Sequence, residues 1–453
     1  MSKSSIVVVA LLVSIGGGAG LFLAQQPKDI ALTAAITLFV AILWITEALP
    51  IPATSLIPFA AFPLTGVLTH SEAASSLGSH VIILLMGAFM LSKALEKAHL
   101  HQRFAVYMLR LTGSGSAFKL LMGFMLTTAL LSMWISNTAT VLMILPMALA
   151  IIEAMKSKRF GIALILGVAY AASVGGIGTP IGTPPNIIFM SVYEETQGTQ
   201  FSFIEWMKTG VPIVLLALPF MALWLSRGLS SVGEIDLPKP GTWSKAEKRV
   251  LMVFGTVALA WVFRPFWTNW LALTTVSDST IAIAGVVAMF LIHNGEEKQG
   301  RLLDWKTAND IPWGMLLLFA GGICIAKAFK ASGLSVLMGE WLTGLSTLPI
   351  LFLILSICLF VTFLTEITSN TATATLLMPI LAAAALAVNV DPKLLMIPAA
   401  ISASCAFMLP VATAPNAIAF ATEKFTIKTM AREGIVLNII VACITTLVCY
   451  VTL

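Results

Sequence analysis

Two short polar runs recur in an otherwise apolar chain: Ser136-Asn137-Thr138-Ala139-Thr140 and Ser369-Asn370-Thr371-Ala372-Thr373. Each is followed by a run rich in proline, Pro180-Ile181-Gly182-Thr183-Pro184-Pro185-Asn186 and Pro410-Val411-Ala412-Thr413-Ala414-Pro415-Asn416. An asparagine amide offers both a donor and an acceptor, and a serine or threonine hydroxyl does both with one group. Proline lacks a donor and clashes inside a helix, while glycine relaxes the backbone. A helix carrying such a run unwinds there. Unwinding frees carbonyls that can coordinate a cation and exposes helix N-termini whose N–H groups favour an anion. A proline kink that serves only packing is the competing reading of one copy; two copies, each beside a polar run, favour a binding site.

The oxygens sort into two sets. Ser132, Ser136, Asn137 and the carbonyl near Gly182 can make one hard-cation site, and Thr365, Ser369, Asn370 and the carbonyl near Ala412 its counterpart. Amides and hydroxyls of Asn137, Thr138, Thr183, Asn370, Thr371 and Thr413 can then grip carboxylate oxygens. No lysine or arginine is close to these motifs in sequence. A bound anion is therefore neutralised by dipoles and co-bound cations. In a low dielectric a lone anion is costly, so each ion raises the other's affinity.

The elements that must hold these residues are membrane helices. Of 453 residues 58% are hydrophobic and 10% charged, far below the roughly 25% charged of a soluble chain. Apolar stretches near twenty residues recur and period-two alternation is absent, which argues for helical spans and against an outer-membrane barrel. We expect spans over roughly 5–24, 29–48, 52–68, 79–97, 160–192, 210–228, 250–266, 278–293, 311–330, 394–421 and 434–452. The start of the chain reads as a retained first helix. Two further stretches, 116–154 and 346–389, are interrupted at their centres by the polar runs. They read as re-entrant hairpins whose tips are the Ser-Asn-Thr motifs, irregular backbone being tolerable at membrane depth only against protein or a watery cavity. Two ordinary spans with a turn outside remain the other reading.

With the N-terminus inside, 20 of the 26 lysines and arginines fall on the inner side and six on the outer. This places the N-terminus in the cytoplasm and the C-terminus in the periplasm, whichever way the two stretches are read. Segment 229–249 is a hydrophilic cytoplasmic linker between halves 1–228 and 250–453, and 98–113 suits an amphipathic helix at the inner interface. The net charge of +5 does not suggest a nucleic-acid partner. The five cysteines and five histidines show no metal-ligand spacing, and no triad or nucleophile–base pairing points to an enzyme.

The motifs repeat in the same order. Residues 136 and 369 are 233 apart, as are Pro146 and Pro379; Gly87, Lys93 and Ala94 match Gly321, Lys327 and Ala328 at 234, and Asn186 matches Asn416 at 230. Five spans separate equivalent helices, so the copies run in opposite directions: two inverted-topology repeats with a site between them. Two membrane-depth acids stand out. Glu366, three residues before Ser369, aligns with Met133 and has either a structural hydrogen-bonding role or a coupling role. Glu47 adjoins Pro50 and Pro52 and reads as interfacial.

Paired Ser-Asn-Thr tips, each followed by a proline-rich broken helix, resemble the divalent anion–sodium symporter family over nearly the whole chain. The resemblance implies an all-α membrane protein of about eleven transmembrane helices plus two re-entrant helical hairpins. It also implies a homodimer in the bacterial inner membrane and elevator-type motion. It implies sodium at about two sites, through Ser132, Ser136, Asn137 and Gly182 and through Thr365, Ser369, Asn370 and Ala412, with no organic cofactor. Asn137, Thr138, Thr183, Asn370, Thr371 and Thr413 would face the small-molecule dicarboxylate. One departure is Thr413-Ala414-Pro415 in place of the Thr-Pro-Pro seen at 183–185; Ala414 removes a ring contact beside the substrate. The expected function is sodium-coupled import of C4-dicarboxylates such as succinate, fumarate or malate. The alternatives are a sodium-independent exchanger, a citrate or sulfate transporter of this fold or, in another class, a cation channel or antiporter.

Overall fold

The computed structural model describes residues 2–100, 103, 104, 106, 107, 110, 116–155, 157–229, 241–273, 275–295, 300–341, 349–387 and 390–453. Among these residues the regular structure is helical, and the sole β-type pairing is an isolated bridge between His293 and Arg301. Seven helices are long and apolar enough to cross a bilayer, or eight if one bent pair counts as a span. The chain is therefore an all-helical, multi-pass membrane protein.

Several expected spans take a different form. Segment 52–68 divides into Ile51–Thr54 and Ile57–Thr65, with Pro58 in the first turn of the second helix and Pro63 within it. Segment 250–266 becomes Lys245–Val262 and Arg264–Trp270, bent by 79° where Pro265 begins the second helix. Asp278–Leu291 has 14 residues, fewer than a straight crossing requires. Half of the amphipathic segment 98–113 and residues 230–240 of the linker lie outside the described residues.

The polar runs and proline-rich runs behave as their residues require. Stretch 116–154 folds as Ala117–Ser132 and Asn137–Met155, and stretch 346–389 as Ile350–Thr365 and Asn370–Ala387, each pair turning at the Ser-Asn step. Segment 160–192 breaks into Lys158–Gly176 and Pro184–Gln197, and 394–421 into Lys393–Ala403 and Ala414–Phe420.

Helix Lys158–Gly176 lies at the centre of the fold, buried without interruption from Ala163 through Gly176. Its small residues allow backbone contact: a Cβ on Gly167 would come within 2.7 Å of Leu121, and one on Gly175 would strike the backbone of Ala129 in the first hairpin arm. By contrast, Lys3–Leu23 buries only Ala10, Ser14 and Gly18, which lie toward helix Lys28–Thr46. The rest of its apolar surface faces outward, as do Phe220, Met252 and Leu447. Such surface is stable only against lipid.

Candidate functional site

A cavity of about 370 Å³, within the range of small-molecule pockets, lies where the two polar turns and the two broken helices meet. Ten of the twelve residues singled out from sequence line it: Ser136, Asn137, Thr138, Gly182 and Thr183 from the first half, and Ser369, Asn370, Thr371, Ala412 and Thr413 from the second. The opposite wall is largely apolar, formed by Leu85, Phe89, Met315 and Phe319 among others. Ser132 and Thr365 do not reach the cavity. Each is fully buried behind its turn and donates to a carbonyl of the neighbouring broken helix, Ser132 Oγ to Ala172 O at 2.7 Å and Thr365 Oγ1 to Ala403 O at 2.9 Å.

Four helices begin at this cavity: Asn137–Met155, Asn370–Ala387, Pro184–Gln197 and Ala414–Phe420. All four present the positive end of the helix dipole, but only Asn137–Met155 and Asn370–Ala387 open on residues that all carry an N–H; Pro184, Pro185 and Pro415 have none, and Thr413 Oγ1 accepts from Asn416 N–H at the start of the fourth. Among the described residues no lysine or arginine lines the cavity, and Glu47 is its one charged lining residue. Glu47 ends helix Lys28–Thr46 in a left-handed conformation, φ 48°. It is exposed and contributes to the cavity lining. The signal for that role is an acid at the end of an apolar span.

Around Asn137 the oxygens crowd. One terminal atom of its amide lies 2.6 Å from Ser132 Oγ and 3.2 Å from both Ala172 O and Gly182 O. With nitrogen at that position the amide's two N–H groups are shared among the three acceptors. With oxygen there, three further neutral oxygens surround it, a donor set suited to a hard monovalent cation and not to a transition metal. Among the described residues no group of histidine, cysteine or acid side chains could hold such a metal. Gly182 is part of the arrangement, since a Cβ on it would come 2.5 Å from Gly176 O. The equivalent positions in the second copy are Ala406 and Ala412, which carry Cβ atoms where the first copy has none. There the Asn370 side chain lines the cavity without a protein hydrogen bond among the described residues, and Thr368 and Thr373 pair at 2.6 Å.

The unwound segments are held by side chains that sequence reasoning matched as a repeat but gave no role. Asn186 Nδ2 donates to Gly176 O (3.0 Å) and Thr179 O (2.8 Å); Asn416 Nδ2 donates to Ala406 O (2.9 Å) and Leu409 O (3.0 Å). Both amides thus satisfy carbonyls freed by unwinding, which would cost free energy if left buried and unpaired. The two broken helices also touch: Tyr170 donates its hydroxyl to Phe407 O at 2.7 Å, and the hydroxyls of Thr183 and Ser404 lie 3.3 Å apart.

Glu366 is buried and lies outside the cavity lining. Its Oε1 accepts from the N–H groups of Phe407 (2.7 Å) and Met408 (2.9 Å) and from Asn438 Nδ2 (2.8 Å), and its Oε2 accepts from Leu409 N–H (3.0 Å). The carboxylate thus closes the N–H side of the unwound turn whose carbonyls Asn416 holds. In the first copy Met133 occupies the aligned position, its side chain against Gly178. Nothing in the sequence around Asn438 marks it as Glu366's partner.

The fold and this cavity fit one class, a multi-pass helical membrane transporter, and the chain's relatives are transporters and not enzymes. Residues 41–393 match the family described as CitMHS, citrate transporter, and the chain belongs to it. It is similar to the sodium-dependent dicarboxylate transporter SdcS of Staphylococcus saprophyticus, 42% identical over 440 residues that cover 92% of this chain and 85% of the relative. The protein of that name in Staphylococcus aureus strain USA300 is 41% identical over 440 residues, 92% of this chain and 84% of the relative. The fold is similar to the crystal structure of the Alcanivorax borkumensis YdaH transporter, with a TM-score of 0.56 at 14% identity over 85% of this chain and 86% of that one. These matches bear out the resemblance drawn from the paired motifs.

Proposed function

We propose that the chain imports C4-dicarboxylates, succinate, fumarate or malate among them, together with sodium. The observation that carries this reading is a cavity where four helix N-termini converge without a basic side chain and with one acid, Glu47, in its wall. Dipole ends and amides can hold two carboxylates, but a dianion beside Glu47 still needs cations to balance it. When the Asn137 amide turns its oxygen toward Ser132, Ala172 and Gly182, the four neutral oxygens make a cation site behind the turn that borders that cavity. Ser136 extends this set, and Thr365, Ser369, Asn370 and Ala412 provide the second sodium site. Asn137, Thr138, Thr183, Asn370, Thr371 and Thr413 contact the dicarboxylate, whose methylene stem fits against Leu85, Phe89, Met315 and Phe319. The printed names of the SdcS relatives support both the sodium and the dicarboxylate.

In this reading the chain has eleven spans and two re-entrant hairpins, arranged as inverted repeats across the linker 229–249. It works as a homodimer in a bacterial inner membrane, with the N-terminus in the cytoplasm and the C-terminus in the periplasm. Transport is an elevator motion of the hairpins and broken helices. The repeat spacing and the paired hydrogen bonds of Asn186 and Asn416 support the repeats.

The test is labelled succinate uptake into proteoliposomes under an imposed sodium gradient. Uptake should stop when choline replaces sodium. Undiminished uptake in choline would overturn the coupling and select an exchanger. A second reading, citrate transport, is favoured by the family description and by exposed Ala414, which leaves room where the first copy has Pro184. Sodium-dependent thermal stabilisation by citrate but not by succinate would select it.

A further inference from the structure

Away from the central cavity, a second cavity of about 380 Å³ opens where three long helices end side by side. Lys158–Gly176 and Ile427–Thr452 begin there and Phe203–Ser226 finishes there. Each contributes an arginine from its end or cap: Arg159, Arg432 and Arg227. One carboxylate faces them. Glu433 pairs with Arg227 at 2.6 Å and with Arg432 at 3.1 Å, and Arg159 has no acidic partner within ion-pair distance among the described residues. Three guanidinium groups against one carboxylate leave two positive charges in excess.

The arginines are held in place by the protein. Arg227 stacks on Trp224, its guanidinium carbon 3.6 Å from the ring centroid. Arg159 donates to Arg227 O at 2.6 Å and lies over Gly228, where a Cβ would come 3.1 Å from its guanidinium. Gly228 has φ +64°, a conformation that also favours glycine. Most of the five donors on each guanidinium remain free, in the fork geometry that suits phosphate oxygens. Beneath them the wall turns apolar at Ile162, Leu166 and Leu225.

We propose that this cavity binds the phosphate headgroup of an anionic phospholipid, with the start of its acyl chains against Ile162. The chemistry recognised is a phosphate ester. A lipid is assigned over free phosphate because the cavity lies at the ends of spanning helices and pairs a cationic rim with an apolar wall, as a headgroup and its chains require. The proposal does not depend on which solute the central cavity carries.

Native mass spectrometry of the full-length protein, exchanged into mixed micelles of phosphatidylglycerol and phosphatidylcholine, tests it. Phosphatidylglycerol should be retained preferentially. The preference should fall roughly five-fold per arginine removed, about 25-fold in Arg159→Gln/Arg432→Gln. It should persist in Lys306→Gln, an exposed charge elsewhere. Both arginines are exposed, and equal melting temperatures of variant and parent in phosphatidylcholine alone will establish that the variant is folded; Arg432→Gln alone, with its smaller expected drop, serves if the double variant melts early. Unchanged retention in the folded variants overturns the site. An equal drop in Lys306→Gln reduces it to diffuse surface charge and also overturns it. A third arm adds inorganic phosphate to protein in phosphatidylcholine. Thermal stabilisation by phosphate that phosphatidylglycerol does not reproduce overturns the lipid assignment.

Discussion

Asn438 donates to Glu366 Oε1 across 2.8 Å of buried space, tying the last helix to the turn behind the second Ser-Asn-Thr run. The same carboxylate gathers three consecutive backbone N–H groups of the broken helix. Glu366 therefore acts as a positioning residue for the unwound segment that leads to Ala412 and Thr413. Glu366→Ala strips four donors of their acceptor and should cost at least about 3 kcal/mol. Glu366→Gln keeps one oxygen but turns an amide N–H₂ toward a donor. Melting temperatures in detergent should fall in the order parent, Gln, Ala. Equal melting of all three would show that the network contributes nothing.

The two asparagines at the turns are expected to behave differently. Asn137→Ala leaves Ser132 Oγ, Ala172 O and Gly182 O without their shared partner, so it should lower both uptake and melting temperature. Asn370→Ala removes a side chain with no protein hydrogen bond among the described residues, so it should abolish uptake at unchanged melting temperature. Uptake assays paired with melting curves separate the two. Near-normal uptake in both variants would refute the assignment of these residues to the site.

Much of this is readable in the sequence. The polar runs, their spacing and their proline-rich partners locate ten lining residues, because unwinding follows from proline and glycine chemistry wherever the chain goes. The cavity's far wall is not readable. Leu85, Phe89, Met315 and Phe319 look like any other apolar residues in a spanning helix, and only packing brings them opposite the turns. Glu47 escapes for a related reason: sequence gives its depth along a helix but not the direction that the helix end faces. Asn438 has no local signal at all.

Gly182→Ala should impair transport strongly, since the added Cβ meets Gly176 O at 2.5 Å; overpacking of this kind costs about 1–3 kcal/mol. Ala412→Gly, at the equivalent place in the second copy, relieves no such approach and should leave uptake near normal. Sodium-activation curves for the two variants check the contrast.

Ala414→Pro should fold normally. Position 414 opens the helix Ala414–Phe420, and proline is well tolerated at a first helical position. The ring would narrow the cavity beside Thr413. Competition of unlabelled succinate and citrate for uptake should shift toward the smaller anion. An unaltered ratio would show that Ala414 has no part in selection.

Outside the spanning helices, Asp304 is held at a pKa of about 2, below its ordinary 3.8, chiefly by its hydrogen bond with Lys97 and by the N–H of Thr307. A depressed carboxylate stabilises the fold fully above its unfolded value, and that contribution is lost as pH falls through the folded value. The loss therefore belongs to the window between 3.8 and about 2. Lys97→Met should shrink this acid-side loss, and raised salt should weaken it, because the pair is substantially exposed. Melting curves taken from about pH 5 downward at low and high salt test both statements.

The convergence of four helix starts, two from each half, gives the cavity an approximate twofold character. A molecule with identical ends can then enter in either of two orientations with nearly the same contacts. That degeneracy alone favours it over an otherwise equal, lopsided molecule by RT ln 2, about 0.4 kcal/mol. Ala414, where the first copy has Pro184, breaks the equivalence, so the two ends of the cavity are no longer interchangeable. An asymmetric acid such as malate would then have a preferred way round, set by the positions where the lining differs between the halves, Gly182 against Ala412 and Pro184 against Ala414 among them.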